Sequence, residues 1–487
     1  MKPDAPPYRG SHGADLQPLL EADSDGWVGI MSQWLAWHVI DLRTFLTPEG
    51  VPGWLWQRRR TTPPKGLKAI AGIGYKQSSV AARALCDRWG LPYLALEDGF
   101  LRSSSLGVEG DTPLSMVVDP IGIHYLADRP SLLETILLQV QTFTEEELAT
   151  ADALITLMRT SGIGKYNNTP DLPASDDLGK HRPLVIVVDQ TYGDFAISGG
   201  GLTESDFPKM LQAALEENPD ADVRVRIHPD CLAGYKRSCL LDAAKAKGVA
   251  LESRQVSWAS LARRATRVYV GTSQAGLEAL IQGVPVTCFG APFYAGWGLT
   301  EDRLPTPRRH HGLSLQELVA AAYIRYCRYV DPRTGERCDV MTVARHLANQ
   351  KRQDMDFSGQ VTVVGVPPHQ QKTLRPLLVS RWGTLAFADW RPALLDRLKA
   401  QNGRLVMPET APAWWQAEAR ARGVDARRFR IARQGGEGGL LVASLIDSSE
   451  LETATADVSP TLTGASHGRR INRLTKLRNY VRNVLPR

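Results

Sequence analysis

Two consecutive series of short apolar runs, each followed by a helical stretch, constrain the fold of this chain more than any other feature. In the first series, residues 67–72 and 92–97 have strand character and residues 78–89 have helical character. A polar stretch at 165–182 separates this series from a second one, which opens with the apolar residues 183–188. Strands of this kind lie in parallel sheets that helices cover on both faces. The pattern predicts an α/β protein with two Rossmann-like domains that face each other across a cleft.

The length of 487 residues agrees with several domains, because one domain takes roughly 100–200 residues. We expect an amphipathic helix over residues 27–45 and a long helix near 131–159. The expected segments are a leader with the first of these helices (1–66), two Rossmann-like domains (67–180 and 181–350), a short α/β segment (351–450), and a linker with a basic tail (451–487).

The composition excludes several classes of protein. Apolar residues make up 43% of the chain and charged residues 23%, which excludes a disordered or collagen-like chain. Residues 1–9 lead into no apolar signal core, and no apolar run reaches the length of about eighteen residues that a membrane span needs. We therefore expect a cytoplasmic protein. The six cysteines include no Cys-x-x-Cys pair, so we expect reduced thiols and no metal site.

The net charge of +6 comes from the end of the chain. Residues 468–487 contain seven lysines and arginines and no acidic residue, so the remainder is nearly neutral, unlike a protein that coats nucleic acid. Apolar residues recur every three or four positions between these cations, at Ile471, Leu474, Leu477, Val481 and Val484. This spacing predicts an amphipathic helix that docks on the anionic surface of a membrane. The alternative is a solvated basic tail.

Two adjacent carboxylates, Glu97 and Asp98, follow the second apolar run. Successive side chains at a strand end point in different directions, so one can face the cleft while the other takes a backbone or arginine partner. A carboxyl group in a poorly solvated cleft suits a general acid or base. The structural alternative is an ordinary acidic turn.

A third carboxylate, Asp194, lies between the apolar run at 183–188 and the glycines at 199–201. Consecutive glycines ahead of a helix can present backbone N–H groups to an anion such as phosphate, and Asp194 is close enough in sequence to reach the same ligand. The alternative is a flexible glycine loop in which Thr203 caps the next helix.

Two further motifs follow strands of the second series. In one, Pro229 fixes the chain direction after His228 and leaves the imidazole at the edge of the sheet, where it can donate to a phosphate. In the other, Thr272 and Ser273 join a strand to a helix that carries Glu278, and their hydroxyl groups either bind phosphate or cap the helix. The joint position of all these motifs at strand ends indicates a nucleotide-sugar transferase.

Five stretches of the sequence occur in the order typical of one enzyme family. They are EDGFLRSSSLG at 97–107, VDQTYGD at 188–194, RIHPD at 226–230, GTSQAGLEAL at 271–280 and FGAPFYAGWGLTED at 289–302. Over residues 67–345, the chain resembles the KpsC-type β-Kdo transferases of capsule polysaccharide biosynthesis. The resemblance implies a GT-B-type glycosyltransferase fold with an acceptor-side domain followed by a domain that binds a CMP-sugar.

The resemblance also implies a reaction. Kdo passes from CMP-β-Kdo, with retention of configuration, to a Kdo-bearing or bare lyso-phosphatidylglycerol acceptor. The product is the β-Kdo linker of a capsular polysaccharide, made at the cytoplasmic face of the inner membrane. The donor is a substrate, and no cofactor is implied. Other capsule assembly proteins are possible partners, and nucleic acid is not.

Each motif takes a role from the same resemblance. Asp194 is expected to be the nucleophile, and Glu97 and Asp98 together supply the acid/base group, with no distinction between the two. The acidic sugar is expected to contact Arg102 and Ser103. The expected donor-binding residues are His228, Pro229, Thr272, Ser273, Gln274, Glu278 and Gln190.

The chain departs from the family after residue 357, where the sequence resembles the beginning of the second transferase module that the family usually carries. Only RQGGEG at 433–438 stands where a second EDGFLRS is expected, and no second Asp-Gln-Thr or His-Pro motif follows. We therefore interpret 351–450 as a truncated, catalytically empty remnant. Two alternatives stay open: a non-catalytic capsule assembly or export factor that binds Kdo-lipid, and a transferase for another CMP-activated nonulosonic acid.

Overall fold

Three β-sheets with flanking helices organise the chain. The computed structural model describes residues 26–31, 35, 42–46, 50–55, 61–105, 111–227, 231, 234–434 and 440–446. The strands are β1 (Trp27–Ile30), β2 (Val51–Trp54), β3 (Leu67–Ile73), β4 (Tyr93–Asp98), β5 (Ser115–Asp119), β6 (Leu184–Val188), β7 (Asp222–Arg226), β8 (Ala250–Glu252), β9 (Ala265–Val270), β10 (Val286–Cys288), β11 (Glu301–Asp302), β12 (Cys327–Val330), β13 (Arg337–Cys338), β14 (Gly359–Val363), β15 (Gly383–Phe387), β16 (Arg404–Pro408), β17 (Ala426–Gln434) and β18 (Leu440–Ile446).

Helices connect most of these strands. The α-helices are α1 (Leu42–Leu46), α2 (Val80–Trp89), α3 (Leu132–Leu137), α4 (Glu145–Ser161), α5 (Phe195–Gly199), α6 (Asp206–Glu217), α7 (Leu241–Ala246), α8 (Trp258–Ala262), α9 (Ala275–Ile281), α10 (Leu315–Val319), α11 (Val340–Asp356), α12 (Pro368–Leu378), α13 (Pro392–Ala400) and α14 (Ala413–Ala421). Short 3₁₀ turns cover Gln77–Ser79 and Val140–Thr142, and a π-helix covers Ala320–Tyr326. Within the described ranges, no helix is long and apolar enough to cross a membrane.

The first sheet has the order β13-β12-β5-β4-β3-β1-β2. Strands β1 to β4 pair in parallel, whereas β5, β12 and β13 add an antiparallel edge. The sheet therefore extends beyond the expected range of 67–180, since it takes strands from both the expected leader and the end of the expected second domain. A central parallel sheet with helices was predicted correctly, and the mixed edge was not.

The helix predicted over residues 27–45 is wrong at its start, because Trp27–Ile30 is the strand β1. This strand pairs with β2 on one side and β3 on the other, and it buries Val28 and Ile30. Ladder hydrogen bonds on both sides and buried side chains outweigh the helical spacing of the apolar residues. Within the predicted range, residues 42–45 are helical, in α1, while residues 32–34 and 36–41 lie outside the described part.

The single long helix predicted near 131–159 is also wrong, because it is divided into α3, a 3₁₀ turn and α4. The division has a local cause at Thr144. Its side chain accepts a hydrogen bond from the N–H of Glu147, whose carboxylate accepts one from the N–H of Thr144 in return. This capping box begins a new helix where the sequence otherwise continues in helical spacing.

The second sheet is entirely parallel and has the order β11-β10-β9-β6-β7-β8. All five residues of β6 are buried, in agreement with the continuous apolar run in the sequence. The third sheet has the order β15-β14-β16-β17-β18, with only the last pair antiparallel. The segment after residue 357 thus folds into a five-stranded α/β unit of its own.

The first two sheets share one apolar core. Their common cluster contains Val117 of β5 and Ile186 of β6, together with residues of α4 and α9. Phe100, which follows β4, stacks on Phe293 of the second half with their ring centroids 4.9 Å apart. The ends of β4, β6 and β9 are therefore held close together, and these are the places where the sequence motifs lie.

Candidate active site

The two adjacent carboxylates at the end of β4 have different environments. The Asp98 carboxylate accepts a hydrogen bond from Arg102 Nε at 2.7 Å, and the Arg102 side chain is only 4% exposed. Arg102 also donates to Ser103 Oγ at 2.8 Å and to the carbonyl of Asp111 at 3.2 Å. Asp98 therefore neutralises a buried guanidinium, as expected of one carboxylate of the pair.

Arg102 and Ser103 do not reach the crevice. Both are buried, and Ser103 Oγ donates to the carbonyl of Ser105 at 2.5 Å. The polar groups of these side chains are thus used within their own loop. This geometry does not support the expected contact of an acidic sugar with Arg102, because the Asp98 carboxylate already pairs with the guanidinium. A sequence pattern cannot show that pairing.

Glu97 differs from Asp98 in its partner rather than in its exposure, since the two side chains are 19% and 21% exposed. Its Oε2 lies 3.0 Å from Lys76 Nζ, and the lysine side chain is 39% exposed. It also lies near the phenol of Tyr125, whose hydroxyl accepts a hydrogen bond from the N–H of Tyr75 at 3.0 Å. Burial, followed by the negative charge of Glu97, raises the pKa of Tyr125. Glu97 is thus paired with a partly exposed cation, whereas Asp98 is paired with a buried one.

Asp194 follows β6 and begins α5. Its Oδ1 accepts the N–H of Ala196 at 3.0 Å, which makes it the N-cap of that short helix. Its Oδ2 accepts a long hydrogen bond of 3.4 Å from Gln190 Nε2. The residue is exposed, so the carboxylate is both oriented by the chain and open to solvent.

Asp194 and Glu97 come from different halves of the molecule and converge on Tyr125. The negative charge of Asp194 also raises the pKa of Tyr125, after the larger effects of burial and Glu97. A backbone hydrogen bond also joins the two halves at this point, since the N–H of Ala127 donates to the carbonyl of Gly199 at 2.7 Å. A Cβ on Gly199 would lie 2.5 Å from the carbonyl oxygen of Tyr125, so only glycine permits this approach. The charges of both carboxylates thus act on the same phenol, and their convergence on one substrate stays a prediction.

Gln190 connects Asp194 to the loop between β9 and α9. Its Oε1 accepts the N–H of Thr272 at 2.8 Å, and its Nε2 lies 3.0 Å from Thr272 Oγ1. Ser273 lies beside it, half-buried, and its Oγ accepts the N–H of Ala275 at 3.2 Å. The buried amide of Gln190 thus holds the Asp194 loop and the Thr272 loop at a fixed spacing.

The helix α9 reaches across to the first half. Gln274 Nε2 donates to the carbonyl of Phe100 at 3.1 Å and to Glu278 Oε1 at 3.2 Å. Glu278 Oε1 also accepts the N–H of Lys165 at 3.0 Å. Burial raises the pKa of Glu278 to about 7. Glu278 is thus committed to holding the loop around Lys165, which the sequence did not indicate.

Lys165 is a further candidate site residue, which the sequence did not indicate. Its carbonyl accepts the N–H groups of Arg102 and Ser103 at 3.2 and 3.4 Å, which fixes its position between the halves. Burial alone would lower the pKa of Lys165, but Tyr166 and the carboxylates of Asp98, Glu97 and Glu278 raise it above its ordinary value. The cation therefore stands among the acidic groups of both halves. The only signal in the sequence was a lysine in the glycine-containing stretch GIGK after a helix, which we assigned to a linker.

The remaining candidates are placed less completely. His228 and Pro229 lie outside the described residues, and their expected role stays a prediction. His124 lies near the crevice, but it packs against Phe100 and Phe293, and burial lowers its pKa to about 3. In the described part of the chain, no group of three or more histidine, cysteine, aspartate or glutamate side chains is arranged to hold a metal ion.

Comparisons with known proteins agree on one family. A family model described as "Capsule polysaccharide biosynthesis protein" matches residues 68–329, which contain all five sequence motifs. The capsule polysaccharide modification protein LipA of Neisseria meningitidis serogroup A is 40% identical over 322 residues, which cover 64% of this chain and 46% of LipA. The lipopolysaccharide-processing protein LpsZ of Rhizobium meliloti is 37% identical over 272 residues, 56% of this chain and 62% of LpsZ. The chain thus spans about half the length of LipA.

Two solved structures have a similar fold. The β-Kdo 2,4 transferase of Thermosulfurimonas dismutans KpsC aligns with a TM-score of 0.63 and 40% identity, over 67% of this chain and 99% of that one. The β-Kdo 2,7 transferase of the same KpsC aligns with a TM-score of 0.50 and 31% identity, over 67% of this chain and 100% of that one. The predicted α/β fold class is confirmed, and the match covers about two thirds of the chain.

Proposed function

Because the chain belongs to the capsule polysaccharide biosynthesis protein family, we propose that it is a glycosyltransferase that transfers Kdo from CMP-β-Kdo to a saccharide acceptor. The observation that carries this proposal is the convergence of Glu97 and Asp194, from two different halves, on one crevice near Tyr125. The similarity to the two KpsC transferase structures supports the choice of sugar.

In the proposed mechanism, Asp194 is the nucleophile. Its carboxylate attacks the anomeric carbon of Kdo, the bond from that carbon to the phosphate oxygen breaks, and CMP leaves with the electron pair. An acceptor hydroxyl then attacks the same carbon, loses its proton to Glu97 and releases Asp194. Two displacements retain the configuration, as in glycosidases that use two carboxylates. The exposed carboxylate of Asp194 and the carboxylate of Glu97, whose lysine partner is partly exposed, suit these roles.

The surrounding residues bind the donor in this proposal. Thr272 and Ser273 present hydroxyl groups beside the Asp194 loop, where they suit the phosphate of CMP. The Lys165 ammonium takes the carboxylate of the sugar acid, since Arg102 is already paired with Asp98. His228 contributes to the phosphate site, as the family resemblance implies, while Glu278 holds the loop around Lys165 rather than the ribose. A site with cations and N–H donors stabilises the charge that develops on the departing CMP.

The proposed acceptor is a Kdo-bearing or bare lyso-phosphatidylglycerol at the cytoplasmic face of the inner membrane. The basic, amphipathic spacing of residues 468–487 supports a membrane-bound acceptor, although these residues lie outside the described part of the chain. The seven cations of this segment are attracted to anionic lipid by about 1 kcal/mol each.

The transfer reaction itself tests the proposal. The purified protein is incubated with CMP-β-Kdo and a soluble Kdo-terminated acceptor, and the product is identified by mass spectrometry. We expect one or more added Kdo residues, and Asp194→Asn should reduce the rate by roughly a thousandfold or more, because it removes the nucleophile. Ser198→Ala, an exposed position on the same short helix, is the matched control and should keep the wild-type rate. Lys165→Met should raise KM for the donor far more than Lys165→Arg does. Donor consumption at the background rate by the wild-type protein would refute the proposal.

A further inference from the structure

The C-terminal unit, which we define as residues 357–434 and 440–446, has a strand order that creates a ligand crevice. In chain order its strands are arranged 2-1-3-4-5, with β14 and β16 adjacent at the centre. The chain leaves these two strands toward opposite sides of the sheet. In open α/β sheets, ligands bind outside the carboxyl ends of the strands at such a switch point. The segments after β14, β15 and β16 are therefore the place where a ligand would bind.

Three tryptophans occupy this edge of the sheet. Trp390 follows β15, while Trp414 and Trp415 lie on the first turn of α14, after β16. The rings of Trp390 and Trp415 are stacked, with centroids 5.0 Å apart and planes within 7°. Trp414 meets both rings edge-on and is 56% exposed. A large aromatic surface is thus left open to solvent, although burying a ring of this size is strongly favourable.

The chain at the switch point is shaped around these rings. Gly365 follows β14 with a φ of +76°, and a Cβ there would lie 3.2 Å from the Trp415 ring. The glycine therefore lets the indole lie directly against the backbone. The Trp415 Nε1 atom is buried and has no hydrogen-bond partner among the described residues.

The charge of the C-terminal unit favours an anionic ligand. Residues 357–446 contain thirteen lysines and arginines but only six aspartates and glutamates. Arg391 lies next to Trp390 and is 77% exposed, and its contact with Asp389 is a loose one of 3.8 Å. In the described part of the chain, five other exposed cations of this unit have no carboxylate within 4.0 Å; they are Lys372, Arg375, Arg397, Lys399 and Arg420.

The C-terminal unit is attached to the first half of the molecule. Arg381 donates from Nη1 to the carbonyl of Ser104 and to Ser105 Oγ, both at 2.8 Å. Trp382 Nε1 donates to the carbonyl of Asn168 at 3.0 Å. These contacts hold the unit against the loop that follows Arg102. Arg381 and Trp382 precede β15 and Trp390 follows it, so the attachment and the tryptophans lie at opposite ends of this strand.

We propose that the C-terminal unit is a binding module for an acidic oligosaccharide, which packs its sugar rings on Trp414 and the Trp390–Trp415 stack. The apolar C–H faces of a sugar ring match an indole surface, and Arg391 pairs with a sugar carboxylate through two parallel hydrogen bonds. The choice of a saccharide over another anion rests on the proposed function of the neighbouring crevice. The unit is thus a site that holds the glycan rather than a remnant without a ligand.

Binding measurements on the full-length protein test this inference. Four probes are compared by calorimetry: an oligogalacturonate, a neutral malto-oligosaccharide, an oligothymidylate and phosphatidylglycerol vesicles. We expect the oligogalacturonate to bind best, and Trp414→Ala to weaken its binding about tenfold. Arg391→Ala should remove the preference for the acidic over the neutral saccharide. Tyr235→Ala is the matched control, because this aromatic residue is 84% exposed on the second half and should bind as the wild type does.

The outcomes separate this inference from the proposed function. Trp414→Ala should leave the transfer rate from CMP-β-Kdo to a small soluble acceptor unchanged, since Trp414 lies outside the crevice. If the protein transfers no Kdo but still binds the acidic glycan through Trp414, the proposed transferase function is refuted and the proposed binding module stands. Three outcomes would contradict the proposed binding module. The wild type does not bind the acidic glycan, or Trp414→Ala binds it as strongly as the wild type does. The third outcome is Trp414-dependent binding of the oligothymidylate or the vesicles instead of the glycan.

Discussion

At the scale of single residues, the two neighbouring carboxylates Glu97 and Asp98 have separate tasks. Asp98 is paired with a guanidinium that is almost completely buried, so its charge is needed for the fold. Glu97 has only a partly exposed lysine as its partner and lies beside Tyr125. The same sequence signal, two acidic residues at a strand end, therefore contains one structural residue and one candidate acid/base residue.

Substitution of each carboxylate by its amide distinguishes these tasks. Asp98→Asn leaves the Arg102 charge buried without a counter-charge, and it should lower the free energy of unfolding by about 3 kcal/mol. Glu97→Gln should leave stability within about 1 kcal/mol of the wild type, since its ion pair is partly solvated, and should reduce the transfer rate by roughly a hundredfold or more. Urea unfolding and the rate of CMP release measure the two effects. If Glu97→Gln destabilises the protein and Asp98→Asn only slows the transfer, Glu97 is the structural residue and Asp98 the acid/base residue.

The residue types at the site could be predicted only where they follow a strand. Asp194, Gln190 and Thr272 stand directly after apolar runs, and parallel strands bring such positions to one edge. Lys165 follows a helix and enters the site through its backbone hydrogen bonds to both halves, which no local pattern reveals. Arg102 was expected to contact the sugar, but it is buried and paired with Asp98. The sequence could not show this, because the burial depends on the carboxylate that the folded chain brings to the guanidinium.

At the scale of elements, the contact between α9 and the loop around Lys165 locks the two halves together. Glu278 of α9 is the carboxylate at this contact, and it accepts hydrogen bonds from Lys165 N and Gln274 Nε2. Burial raises its pKa to about 7, against an ordinary value of 4.5. In the folded protein this group therefore holds its proton at pH values where the unfolded chain has already released it.

The raised pKa predicts a pH dependence of stability. The contribution of Glu278 is fully present below pH 4.5 and is lost as the pH rises through 7, because the buried carboxylate must then ionise. Glu278→Gln keeps the Oε1 acceptor and cannot ionise. The free energy of unfolding of the wild type, relative to this variant, should fall by about 3 kcal/mol between pH 4.5 and 7.5. Urea titrations across this range measure the difference, and the titration of His124 cancels because both proteins contain it. A difference that does not change with pH would show that the Glu278 carboxylate is well solvated.

How well a strand could be predicted from the sequence depended on what surrounds it in the fold. β6 was predicted with nearly its observed bounds, since a strand buried on both faces is apolar throughout. β1 was predicted as a helix, since its four residues gain their strand conformation from β2 and β3, which lie more than twenty residues away in the sequence. Pairing of that kind is a tertiary effect that helical spacing cannot report.

At the scale of the whole molecule, the described residues form two α/β units that contribute to the candidate site and a third that carries the exposed tryptophan. The first two share a single apolar core and contribute one carboxylate each. The third lies against the loop after Arg102 through Arg381 and Trp382. The basic segment at 468–487 extends this arrangement toward a membrane in our proposal, which would bring a lipid-linked acceptor to the crevice.

Removal of the basic segment tests the membrane proposal. Deletion of residues 468–487 should abolish most of the sedimentation of the protein with phosphatidylglycerol vesicles at low salt, because seven cations and the apolar face are lost. Transfer to a soluble acceptor should be unaffected. A variant with the same residues in shuffled order is the control for charge alone, and it should sediment less than the wild type. Equal sedimentation of the deletion variant and the wild type would rule out a membrane role for the segment.

The mass of the intact protein after brief exposure to CMP-β-Kdo, without acceptor, shows whether Asp194 forms a covalent bond to the sugar. We expect a species heavier by one Kdo residue, with the added mass on the peptide that contains Asp194 and no such species in Asp194→Asn. Donor turnover by the wild type without any adduct, or with an adduct on a residue outside the crevice, would contradict this expectation.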